Sequence, residues 1–194
     1  MVAPISAGRS RACEAAWRAL ASPAAAEGAL TPRIAYTVGY QGIDVDTIAT
    51  AARRAGVTMI VDTRRHPTSR RPSFRREALR RRLEADGIQY VSEPRLGVPK
   101  RVRPLARSRP WLFQAAYRGV LSRAASAVEE TVRMAGSETI ALLCFEAEAG
   151  ECHRSLLATF ISASASITFV NLDVGRVEHS DDHPVLEDMV GAHH

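Results

Sequence analysis

The run Ile140-Ala141-Leu142-Leu143-Cys144 is apolar at every position, with no alternation. A strand with one wet face alternates polar and apolar residues, so this run predicts a strand covered on both faces, as in a parallel sheet held between helices. Four other short segments, Ile34 to Val38, Val57 to Asp62, Ile88 to Ser92 and Ile167 to Leu172, read as strands, and the strand around Ile140 extends from Thr139 to Cys144. Helical patterns fill the intervals. One follows Asp44, its N-cap, with Val45, Ile48, Ala49 and Ala52 at helical spacing, and stops at Gly56. A second runs from Phe74 to Asp86, capped by Ser73 and closed by Gly87. A third, from Trp111 to Met134, carries Leu112, Ala116, Val120, Ala124, Val128 and Val132 at four-residue steps, and a fourth runs from Cys152 to about Ser162.

Strands alternating with helices predict an α/β domain of three layers: a mostly parallel, five-stranded sheet with helices on both faces, Rossmann-like or flavodoxin-like. The expected organisation is a flexible extension over 1–32, one domain over 33–175, and an acidic tail over 176–194 that contains four histidines. Between Glu93 and Pro110 lies a connection with four prolines. Its length suits a binding loop better than a simple turn.

Charge points to the kind of partner. The formal net charge is +5, and all 26 basic residues except Lys100 are arginine. Nine arginines fall between Arg64 and Arg82, and five more, with Lys100, lie between Arg95 and Arg109. That concentration predicts an anionic small molecule or a nucleic acid as partner. No apolar run approaches the roughly 20 residues of a membrane span, so no membrane partner is expected. Three scattered cysteines make no disulfide framework and suit the reducing cytoplasm.

Parallel strands bring their carboxyl ends to one edge, where α/β folds hold ligands and helix N-termini offer N–H groups to anions. Residues at those ends are the site candidates. Cys152, at the first turn of its helix beside His153 and Arg154, is a candidate nucleophile, with a buried core thiol as the competing reading. Glu146 and Asp62 are candidates for moving protons. Arg64, Arg154 and Ser155 are candidates for gripping a phosphate or carboxylate, unless Arg154 is consumed by an ion pair with Glu146 or Asp62. Tyr40, Gln41, Glu93 and Arg95 complete the predicted rim. Cys144 and Cys152 form a conceivable redox pair, although their spacing matches no redox motif. A metal site would need a fourth donor beside Cys144, Cys152 and His153, and the spacing matches no zinc module, so no metal and no cofactor are expected.

Five blocks, Tyr36-Thr37-Val38-Gly39-Tyr40, Asp62-Thr63-Arg64 with His66-Pro67, Glu93-Pro94-Arg95-Leu96-Gly97, Cys144-Phe145-Glu146 and Cys152-His153-Arg154-Ser155, resemble in order a bacterial family known as domain of unknown function 488. The resemblance covers about Arg33 to Asp173. It implies a compact α/β domain and carries no assigned activity or catalytic residue. The residues themselves predict binding of a phosphorylated substrate, nucleotide or nucleic acid, at the sheet edge, with hydrolysis or transfer as the reaction class. A non-catalytic nucleic-acid-binding module using the arginine-rich segments, and a thiol redox protein, stay open as alternatives.

Overall fold

The computed structural model describes residues 33–147, 152–163 and 165–175. The predicted extension over 1–32 and the histidine-bearing tail lie outside them. In chain order the elements are β1 (Arg33–Gly39), α1 (Val45–Arg54), β2 (Met59–Asp62), α2 (Arg76–Glu84), β3 (Gln89–Ser92), α3 (Leu105–Ser108), α4 (Pro110–Arg123), α5 (Ala125–Ser137), β4 (Ile140–Cys144), α6 (His153–Ser162) and β5 (Ile167–Asn171). The strands form one sheet in the order β3-β2-β4-β1-β5, and every pairing is parallel.

That order follows from where the chain turns back. From β1 to β2 to β3 it moves towards one edge, and from β3 to β4 to β5 it returns towards the other. With right-handed crossovers the two directions place helices on opposite faces. Accordingly Ile48, Leu79 and Leu83 of α1 and α2 pack with Ala141 and Leu143, whereas Phe113, Tyr117, Val128 and Leu157 of α4, α5 and α6 pack with Ile140 and Leu142. The unalternating run of β4 is therefore divided between two cores, which is why no polar residue is tolerated in it.

β1 and β4 are neighbours whose following loops depart to opposite faces, and such a point opens a crevice beyond the carboxyl ends. Gly39 keeps that crevice narrow. A Cβ there would lie 1.8 Å from the carbonyl oxygen of Glu146, so only glycine lets the two loops meet. The Tyr40 and Gln41 N–H groups then donate to the Cys144 and Phe145 carbonyls at 3.2 and 2.9 Å, continuing the ladder past the strands. Gly97 does the same for the loops after β2 and β3, since a Cβ there would lie 2.2 Å from the Arg65 nitrogen.

Two helices differ from the sequence expectation. The span Trp111 to Met134 is broken at Ala124, whose N–H donates to both Val120 and Leu121 carbonyls at 3.0 Å. A four-residue apolar step overshoots the 3.6-residue turn by about 40°, so five steps walk the stripe about 200° round a straight helix. The break returns α5 to the sheet. The helix expected from Phe74 begins instead at Arg76, after a 3₁₀ turn over Pro72–Phe74. Phe74 is fully buried and stacked on Tyr40, with ring centroids 4.1 Å apart, which holds the turn out of the helix.

Candidate functional site

A cleft of about 570 Å³ opens at the carboxyl edge of the sheet. Among the described residues its walls carry five arginines, Arg64, Arg65, Arg70, Arg71 and Arg103, against a single carboxylate, Glu146, which shares the floor with Cys144 and His153. Val98, Ala106, Phe113 and Phe145 give it an apolar side. Phe145 remains exposed there and meets the Tyr40 ring edge-on at 5.3 Å.

The loop after β2 builds the basic wall from one buried anchor. Asp62 is fully buried and accepts from the Arg64 side chain through Nε at 2.8 Å and Nη2 at 2.5 Å, from the Arg64 backbone N–H, and from the Tyr90 hydroxyl at 2.5 Å. Arg64 Nη1 donates onward to the Tyr40 hydroxyl and the Phe74 carbonyl. Burial works against the Arg64 charge, but the bonds and field of Asp62, with help from Tyr40, outweigh it and raise its pKa above the ordinary arginine value. Burial beside the same carboxylate pushes the Tyr90 phenol up. Asp62 thus serves as the counter-ion of Arg64.

Arg71 is aimed by the same framework, with Nη1 donating to the Tyr40 carbonyl at 3.1 Å and its guanidinium 4.6 Å above the Phe74 ring. Arg65, Arg70 and Arg103 are exposed. Among the described residues none of these four makes an ion pair with a carboxylate.

At the floor, the end of β4 and the start of α6 bring four polar side chains together. The Cys144 and Cys152 thiols lie 2.7 and 3.2 Å from the same Glu146 oxygen, and His153 Nδ1 lies 3.4 and 3.7 Å from the two sulfurs. The other face of the imidazole meets Thr63. Thr63 spends its only hydroxyl proton on the Leu143 carbonyl at 2.9 Å, so at 3.4 Å from His153 Nε2 it can only accept, and Nε2 carries a proton. Nδ1 is left facing the sulfurs. Cys152 is the N-cap of α6, and its sulfur accepts from the Arg154 backbone N–H at 3.4 Å.

The two thiols are driven apart in acidity. The Cys152 thiol, hydrogen-bonded by Cys144 and then by His153 against the penalty of burial, is pulled down to about 6. Cys144 is pushed well up by the Cys152 sulfur, by burial and by Glu146. Burial would raise the Glu146 carboxyl, but bonds from both thiols and from its own backbone, with His153 nearby, hold it below the usual range and ionised.

Arg154 is buried, and it reaches the floor from beneath. Its Nη1 donates to the Glu146 carbonyl and its Nη2 to the Ala147 carbonyl at 2.7 Å. The anticipated ion pair with Glu146 or Asp62 is absent among the described residues, and the guanidinium holds the loop backbone instead. Ser155 lines a separate groove between α6 and β5. Gln41 is tied to the loop after β4 through a 3.5 Å contact with the Ala147 N–H. Glu93 is bound in a two-pronged pair by Arg95, with bonds of 2.8 and 2.7 Å, and its carboxyl is lowered mainly by that pairing. Arg95 faces a second basic cleft, also about 570 Å³, with Lys100, Arg101 and Arg123; Arg65 stands between the two clefts and lines both.

Of the ten candidate residues, the structure puts Tyr40, Arg64 and Glu146 on the main cleft, Asp62, Cys152 and Arg154 directly behind it, and Gln41, Glu93, Arg95 and Ser155 elsewhere. Sequence reasoning did not single out Thr63, Arg70, Arg71 or Arg103. The arginine run was the only signal for the last three, and it could not separate them from their neighbours. A family model described as "Domain of unknown function DUF488" matches residues 44–161, well over half the chain. No curated protein and no solved structure matches it.

Proposed function

The chain belongs to the DUF488 family, and we propose that its main cleft binds a phosphorylated substrate, a nucleotide or the end of a nucleic acid, and acts on it by hydrolysis or transfer. The observation that carries this reading is the convergence of Arg65, Arg70, Arg71 and Arg103, unpaired with any described carboxylate, on a cleft whose floor holds reactive groups. Four neighbouring guanidinium groups with no carboxylate partner among the described residues repel one another, and a phosphate relieves that repulsion while accepting their bonds. The apolar wall of Val98, Phe113 and Phe145 gives a base or other flat group a surface to lie on. Glu146 is an ionised carboxylate on the cleft floor, which supports a role in taking the proton of an attacking water or hydroxyl.

Binding of pyrophosphate, nucleoside mono-, di- and triphosphates and short oligonucleotides, measured by calorimetry, tests this. At least one phosphorylated ligand should bind, and Arg70→Ala or Arg103→Ala should weaken it. Absence of binding across the panel, or binding indifferent to both substitutions, overturns the reading.

The second cleft favours a longer ligand as a variant of the same idea. Because Arg65 is common to both clefts, a strand seated in one can continue past Arg101 and Lys100 into the other. Affinity that rises with oligonucleotide length would select this form over a mononucleotide.

A further inference from the structure

We infer that Cys144, Glu146, Cys152 and His153 form a binding site for a single zinc ion. The inference does not need the phosphorylated-substrate reading, because a zinc ion here could organise the floor of any site. The four donor atoms all lie within 4.8 Å of one another. A tetrahedral zinc with sulfur at about 2.3 Å and nitrogen and oxygen at about 2.0–2.2 Å sets its donors roughly 3.3–3.8 Å apart. The His153 nitrogen meets that spacing against both sulfurs, at 3.4 and 3.7 Å, and Glu146 Oε2 is close to it against Cys152, at 3.2 Å. The 2.7 Å from Cys144 to Glu146 is too short and the outer limit of 4.8 Å among the donors is wider than a tetrahedron sets, so the cluster must adjust on binding; Glu146 is the half-buried member and lines the cleft into which it can withdraw.

What surrounds the donors fits ligation as well. A ligating histidine normally donates its other ring N–H to a fixed acceptor, and Thr63 Oγ1, locked by the Leu143 carbonyl, is such an acceptor for His153 Nε2. The Arg154 N–H on the Cys152 sulfur steadies a thiolate in place. Two thiolates and a carboxylate around Zn²⁺ leave one residual negative charge, and the buried Arg154 guanidinium, bonded to the Glu146 carbonyl, lies nearby to offset it. Cys144, Glu146 and His153 line the cleft, so the ion has an entry path. The sequence hid this site because its fourth donor is a carboxylate two residues past Cys144, a spacing outside the usual zinc modules.

The test uses the full-length chain with Cys13→Ser, which leaves only the two thiols of the cluster, stripped of metal and titrated with Co²⁺ and then Zn²⁺. One Co²⁺ per chain should give a thiolate-to-cobalt charge-transfer band with the strong d–d absorption of a tetrahedral centre, and one equivalent of Zn²⁺ should discharge it. The histidines of the tail cannot produce a sulfur band. Bound Zn²⁺ should also slow the reaction of both thiols with a disulfide reagent about tenfold or more, and Thr63→Val should weaken Zn²⁺ about 10–100-fold while the far-ultraviolet spectrum is unchanged. A folded protein that takes up Co²⁺ without the charge-transfer band, or Zn²⁺ affinity equal in the Cys144→Ser/Cys152→Ser protein, overturns the site. Pyrophosphate binding on the same stripped protein keeps the two readings apart: phosphate bound with no cobalt band sinks the zinc site alone.

Discussion

The arginines from Arg64 to Arg71 and those from Arg75 to Arg82 are continuous in sequence and alike in composition, yet the fold gives them opposite tasks. On α2, Arg80 is held between Glu77 and Glu84, and Arg82 between Asp46 and Asp86, so their charge is met within the molecule. In the loop after β2, among the described residues, only Arg64 has a carboxylate partner, and Arg65, Arg70 and Arg71 look into the cleft. Helical spacing places Arg80 and Arg82 of α2 three or four residues from an acid. The loop has no such periodicity and no acid between Thr63 and Phe74. Clustering along a chain is therefore poor evidence for clustering on a surface; what counts is which side chains lack an internal partner.

The largest effect should come from the one loop arginine that is paired. Asp62→Asn leaves the Arg64 charge buried without its counter-ion and should cost about 3–5 kcal/mol in denaturant unfolding. A loss under 1 kcal/mol would mean that Arg64 belongs with the free arginines. Next, Arg70→Ala and Arg103→Ala should each reduce affinity for the best phosphorylated ligand about 10–100-fold, the worth of a hydrogen bond to a charged group. If nucleic acid is that ligand, Arg101→Ala should lower the salt slope of single-strand binding by about 0.7, one phosphate contact. Smallest of all, Arg80→Ala should leave ligand binding unchanged and barely move the melting temperature, since an exposed pair of this kind is worth little. An effect on binding as large as that of Arg70→Ala would erase the distinction between the two groups.

Much of the fold could be read from periodicity. The unalternating Ile140 run required two covered faces, and the Asp44 cap and the stops at Gly56 and Gly87 stand where expected, the two glycines with φ of 69° and 74°. The strand ends did converge, because parallel strands share a direction. What periodicity could not supply is pairing between residues far apart in the chain. Nothing in the sequence tells that Asp62, a proton-transfer candidate, bonds Arg64 and Tyr90, or that Arg154, an anion-ligand candidate, bonds the carbonyls after β4. Thr63 was invisible as a partner of His153, ninety positions away. Family membership, stated by resemblance from five short blocks, agrees with the family match over 44–161.

Arg154 has a mechanical consequence. By grasping the carbonyls of Glu146 and Ala147 from the first turn of α6, it ties the departing end of β4 to the helix that follows, like a buckle across a strap. The bond pattern couples the positions of both sulfurs, the imidazole and the carboxylate to that helix. A lysine there has a single ammonium tip in place of a planar fork, and would leave one of the two carbonyls unfastened.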